Sequence, residues 1–105
     1  MTYKVVISEE AEYDLRSIYE YIAFSLLSPV NASGQLERIE KQIMGLDESP
    51  YMYPLFKREP WKTRGLRCFP VDNYMVFYIP DDESSKVTIT RVLYGGRDVN
   101  KIFDH

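Results

Sequence analysis

A chain of 105 residues, 45% of them hydrophobic and 14% aromatic, holds enough apolar mass for one packed core and has no room for a second. Residues 1–105 are therefore read as a single domain, and this composition excludes a disordered tail. Thirteen bases against sixteen acids give a net charge of -3, which excludes a domain basic over its whole surface, the usual mark of nucleic-acid binding. In chain order, Tyr3 to Ile7 is short, β-branched and aromatic, and predicts a strand. Ser8 then supplies an N-cap before the acidic turn Glu9-Glu10, so a helix is predicted from Glu9 to about Leu27, with Ala11, Leu15, Ile18, Ile22 and Leu26 as its buried stripe. Ser28-Pro29 reads as a second N-cap with proline at the first helical position. Ala32, Leu36, Ile39, Ile43 and Leu46 repeat the stripe, and Gly45 with Ser49-Pro50 marks the end.

From Pro50 to Pro60, prolines alternate with Tyr51, Tyr53 and Phe56, which predicts an irregular loop pinned to the core by its rings. Three strands are predicted after it, at about Thr63 to Phe69, Tyr74 to Ile79 and Lys86 to Tyr94, with Tyr74 and Tyr78 filling the core. Their short connections favour antiparallel neighbours. Gly95-Gly96 ends the last strand, and residues Asp98 to Phe103 are expected to make a short C-terminal helix. The predicted architecture is α+β, in the order β-α-α-β-β-β, with one sheet face packed on a helical hairpin.

Charge divides along the chain. Residues 1–49 carry nine acids against four bases, whereas residues 50–80 carry five bases, Lys57, Arg58, Lys62, Arg64 and Arg67, against two acids. Arg64, Arg67, Arg91 and Arg97 are candidates for one cationic surface, because hairpin-linked strands can gather distant arginines and guanidinium forks suit phosphate or carboxylate partners. Each is equally well read as a solvated charge or as half of an internal ion pair. Strand alternation sets Arg91 on the face of Val87, Ile89 and Leu93, where it would need an acidic or carbonyl partner. Trp61 beside Lys62 suits either stacking on a partner or plugging the core, and Tyr94 at a strand end could present its hydroxyl.

Cys68 is the single cysteine, so neither an intrachain disulfide nor a cysteine metal cluster forms, and a structural thiol is expected. His105, the one histidine, ends the chain and makes a poor general base. No phosphate-binding glycine loop, metal-ligand spacing or Ser-His-Asp set can be assembled, so neither cofactor nor metal is expected. The absence of a leader pattern and of a bilayer-length apolar run points to a cytoplasmic protein.

Asn73-Tyr74-Met75-Val76-Phe77-Tyr78-Ile79-Pro80 resembles the central strand of the RelE/ParE toxin superfamily, and Arg91-Val92-Leu93-Tyr94-Gly95-Gly96-Arg97-Asp98 resembles the last strand and turn of its ParE-like branch, the plasmid-stabilisation toxins. The resemblance extends over nearly the whole chain and implies a type II toxin-antitoxin toxin that arrests growth and is neutralised by an antitoxin. The superfamily holds ribosome-dependent messenger-RNA endonucleases of the RelE kind and ParE toxins that poison DNA gyrase, and fold alone does not separate them. The endonucleases, as the resemblance implies, use second-strand lysines, an arginine after the central-strand tyrosine, a final-turn arginine and a C-terminal aromatic or imidazole group. Here the matching positions are Leu66 and Cys68, Met75, Arg97 and Phe103. RNA cleavage needs a base, phosphate stabilisation and an acid, and of these only the second is well supplied. A nuclease would have to use Arg67, Arg97 and Tyr94.

The resemblance therefore favours a toxin that binds gyrase without itself making or breaking a bond, through Trp61, Lys62, Arg64, Arg67, Arg91 and Arg97. A ribosome-dependent endonuclease and a degenerate, non-toxic interaction module stay as alternatives. Antitoxin contacts are expected at Tyr13, Tyr19, Tyr21 and Phe24, which lie outside the core stripes, unless those rings complete the domain's own core.

Overall fold

A computed structural model of the chain describes residues 2–95 and residue 99. Strand β1, Lys4–Ile7, leads into helix α1, Glu9–Glu20, through Ser8, whose extended backbone and Oγ cap the helix by accepting the Ala11 N–H at 3.1 Å. Glu9, Glu10 and Glu12 lie in the first turn, where carboxylates complement the helix dipole. The predicted helix does not continue unchanged to Leu27. At Tyr21–Ser25 it widens into a π-helical turn, seen in the bond from Leu26 N–H to the Tyr21 carbonyl at 3.0 Å. The extra residue in that turn rotates the residues after it, so Leu26, expected in the buried stripe, is 55% exposed. Leu27 then turns the chain with a φ of 54°.

Helix α2, Pro29–Met44, begins with proline at its first turn as expected, but Ser28 makes no side-chain capping bond. A 3-10 turn, Gly45–Asp47, closes the hairpin. Ala11, Leu15 and Ile18 of α1 share one core with Ile39 and Ile43 of α2 and with Leu46; Ile22 and Leu36 pack against it half-buried, and Ala32 is buried.

The sheet is formed by β1 together with β2, Arg67–Val71, β3, Tyr74–Asp81, and β4, Lys86–Tyr94. Its spatial order is β1-β4-β3-β2, with β1 parallel to β4 and the later strands antiparallel. The strand predicted from Thr63 starts at Arg67, because residues 60–66 close a series of tight turns through bonds such as Arg64 N–H to the Pro60 carbonyl at 3.2 Å and Leu66 N–H to the Trp61 carbonyl at 3.1 Å. Pro70, placed in a connection by its sequence signal, lies inside β2, which tolerates a missing N–H because it is an edge strand.

A bulge interrupts the pairing of β3 and β4. Phe77 lies opposite Arg91 and Tyr78 opposite Ile89, leaving Thr90 as the extra residue, and its Oγ1 donates to the Phe77 carbonyl at 3.1 Å. The bulge shifts the alternation by one. Val87, Ile89 and Val92 enter the core shared with the helices, together with Phe69, Val71, Tyr74, Val76 and Tyr78, whereas Leu93 joins a second cluster with Leu66 and Phe77. The expected placement of Arg91 on one face with Val87, Ile89 and Leu93 is therefore corrected. The loop before β2 is pinned as predicted: Tyr53 stacks on Phe69 with centroids 4.3 Å apart, and Phe56 meets Phe77 edge-on at 5.4 Å. Among the described residues, no helix is long and apolar enough to cross a membrane.

Candidate functional site

The arginines expected to share one surface are held in three places. Arg64 lies over the Trp61 ring, 5.2 Å from its centroid, in the exposed turn that also carries Lys62. Trp61 is half-buried against the second cluster, so its ring both packs on the domain and supports a cation. Arg67 pairs across the sheet with Tyr78, a ring of the helix-side core, and so lies on that same face, away from the cluster of Leu66, Phe77 and Leu93. Its Nη1 donates to the Tyr53 carbonyl at 2.6 Å, and its guanidinium covers the Tyr51 ring at 4.9 Å. Arg91 forms a two-pronged pair with Asp14, through Nε at 2.8 Å and Nη2 at 2.9 Å. Arg97 and Phe103 lie outside the described residues, as does the expected C-terminal helix apart from Val99, which packs against the second cluster.

Sequence reasoning does not single out Asp14, although a signal is present. It falls between Ala11 and Leu15 on the buried side of α1, where an acid needs a partner. The partner is the free edge of β4. β1 pairs with β4 only as far as Ile89; beyond that, the Ser8 N–H donates to the Ile89 carbonyl at 3.0 Å and Ser8 Oγ to the Thr90 carbonyl at 3.1 Å. Asp14 Oδ2 then accepts the Val92 N–H at 2.9 Å. Ser8 and Asp14 thus extend the ladder where the strand runs out.

The positions matching the endonuclease cations hold apolar side chains. Leu66 is buried, and Cys68 and Met75 pack against the same cluster, where burial raises the Cys68 thiol above its ordinary range. Tyr94 is half exposed, with its ring edge-on to Tyr74 at 5.8 Å, and burial raises the Tyr74 hydroxyl in turn. The described residues contain no histidine and no group of three His, Cys, Asp or Glu side chains able to hold a metal. The arrangement supplies cations, of which Arg67 and Arg91 are held by internal partners, and a Tyr74 hydroxyl raised by burial; a guanidinium at ordinary pH binds anions rather than transferring protons.

On the helical side, Tyr13, Tyr21 and Phe24 are each more than half exposed, and Tyr19 is half-buried. Three of the four rings therefore do not complete the domain's own core. Tyr21, Tyr74 and Tyr94 form the shared wall of two adjoining clefts, of about 520 Å³ toward Asp14 and Ser17 and about 600 Å³ toward Asn31 and Arg38.

A four-stranded mixed sheet backed by a helical hairpin is the α+β architecture of the RelE/ParE toxins. The family model for the ParE toxin of the type II toxin-antitoxin system parDE matches residues 5–99, and the chain belongs to that family. The solved chromosomal ParDE system from P. aeruginosa is similar at 18% identity and a TM-score of 0.72, over 89% of this chain and 96% of that one. A free-state mutant of the E. coli toxin RelE gives 17% identity and a TM-score of 0.68, over 99% and 93%. The intact E. coli RelBE toxin-antitoxin complex gives 17% and 0.62, over 90% and 99%. At these identities the likeness concerns the fold. No curated protein sequence matches the chain significantly.

Proposed function

We propose that this toxin acts by binding, with DNA gyrase as its target, and that a cognate antitoxin neutralises it in the cytoplasm. The observation that carries the target reading is the chemistry at Leu66, Cys68 and Met75, where RNA cleavage would need cations and proton carriers and apolar packing stands instead. Lys62 and Arg64, exposed beside Trp61, are the cations assigned to the target, in an otherwise acidic chain. Arg67 and Arg91 are committed to internal partners and act by holding the surrounding surface in shape. Growth arrest and plasmid stabilisation follow from a poisoned gyrase without chemistry by the toxin.

The antitoxin reading draws on the exposed rings of Tyr13, Tyr21 and Phe24, joined by Tyr19, beside the clefts walled by Tyr74 and Tyr94. An amphipathic segment that folds on binding can lay its apolar side there. Similar structures of a ParDE system and a RelBE complex support a partner of this kind.

The test is a gyrase supercoiling assay run beside ribosome-dependent messenger-RNA cleavage on one protein preparation. Trapped, cleaved DNA with intact message is the expected result. Cut message with unaffected gyrase would overturn the reading and make Tyr94 with Arg67 the first candidates for a nuclease site.

A further inference from the structure

We propose that the tip of the helical hairpin is a surface through which two copies of this chain associate. From Tyr21 to Leu36, sixteen consecutive positions carry no charged side chain, in a protein with 28% charged residues. Ala23, Ala32 and Gln35 of that stretch are buried, but its turn faces water. Leu27 and Val30 are 83% and 84% exposed, and Tyr21, Phe24 and Leu26 are each more than half exposed. Burying such side chains is the ordinary route to stability; Tyr21 and Phe24 are shared with the antitoxin surface proposed above, but Leu26, Leu27 and Val30 at the turn itself are not assigned to it and need a partner of their own.

The backbone at the tip supports the same conclusion. Leu27 holds a φ of 54°, a conformation that disfavours a side chain with a Cβ, one residue beyond the Leu26 C-cap of the π-helical turn. A chain selected only for a stable monomer would place glycine or asparagine there. Keeping leucine presents an apolar side chain outward at a backbone position that disfavours it.

A second copy fits this surface in charge and in area. The molecule is acidic overall, so two copies repel over most approaches, and the uncharged tip is where they can meet without that penalty. The charged residues adjoining it carry both signs, Glu20 before it and Glu37 and Arg38 after it. A two-fold arrangement can therefore set unlike charges around an apolar centre. The five side chains expose roughly 600 Å² per copy, so a symmetric pair would bury about 1,200 Å², the lower end of stable interfaces.

The test is sedimentation equilibrium of the free chain, with the double variant Leu27→Asn, Val30→Lys as its partner. The wild type should rise from the 12.4 kDa monomer toward twice that mass over the micromolar range, and the variant should remain monomeric. Asparagine is at ease at a positive φ and both sites are exposed, so the variant keeps its fold, which circular dichroism checks. A wild type that stays monomeric to about 1 mM overturns the proposal, as does association that survives in the variant. Antitoxin capture by the same variant separates the two readings: retained capture with lost self-association supports a copy-to-copy surface. Lost capture with a monomeric wild type would assign the tip to the antitoxin instead.

Discussion

Asp14 and Arg91, 77 residues apart in sequence, close the open end of the sheet as a unit: one carboxylate takes both prongs of the guanidinium and the Val92 N–H. The Asp14 side chain is 8% exposed and that of Arg91 27%, so the pair is shielded far more than a surface salt bridge. Arg91→Ala, which leaves a buried carboxylate, should cost about 3 kcal/mol, and Asp14→Asn, which keeps an acceptor for Val92, only about 1–2 kcal/mol. Urea unfolding measures both. A loss below about 1 kcal/mol for Arg91→Ala would show that the pair is not a structural clamp.

Two left-handed positions should respond in opposite directions. Leu27→Gly removes a strained Cβ from an exposed site and should raise stability by about 1 kcal/mol, or several degrees in Tm. Gly65, at a φ of 85°, has nothing within 4 Å of the place a Cβ would occupy, so Gly65→Ala should lower stability by about 1 kcal/mol through the backbone alone. Equal effects in thermal melts would contradict this.

Tyr3 and Tyr51 both donate to Asp82 Oδ1 at 2.7 Å, tying β1 and the loop before β2 to the β3–β4 turn. The bond to the Asp82 carboxylate, then burial, pushes the Tyr3 hydroxyl from 10.0 up to about 12. A raised folded-state value means that its contribution is fully present below pH 10 and is lost as pH rises through about 12. The same two bonds lower Asp82, whose contribution is present above its ordinary value of 3.8 and lost as pH falls below it. The Tm gap between wild type and a Tyr3→Phe, Tyr51→Phe variant should be widest near neutrality and narrow at both extremes. A gap independent of pH would remove the link.

Charge reversal at Lys62 and Arg64 should abolish growth arrest on induced expression while leaving Tm within a few degrees, since both side chains are exposed. Arg67→Glu should instead destabilise the protein, because it loses the Tyr53 carbonyl and the Tyr51 ring. Full arrest by the folded double reversal would move the target surface elsewhere.

Much of the fold was legible because its signals are local. Ser8 before Glu9, most of the apolar stripe of each helix and the aromatic anchors at Tyr53 and Phe56 each act over a few residues, and each is found where it was expected. The features that escaped the sequence depend on pairing between distant segments. The bulge at Thr90 is set by how β4 lies against β3, and it turns Arg91 away from Val87 and Ile89. The late start of β2 reflects turns between Pro60 and Leu66 that compete with a strand pattern. The cationic surface was legible as composition and not as geometry, since the partners of Arg67 and Arg91 are the Tyr53 carbonyl and Asp14, each far away in the chain.

The parallel pairing of β1 with β4 bears on when this toxin can become dangerous to the cell that makes it. Lys4 leaves the ribosome well before its partner Lys86 is made. At about 5–20 residues per second, the first strand waits several seconds for the edge it must join. The nascent chain therefore completes its sheet only after β4 has been made, an interval in which a partner already present has the first opportunity to bind.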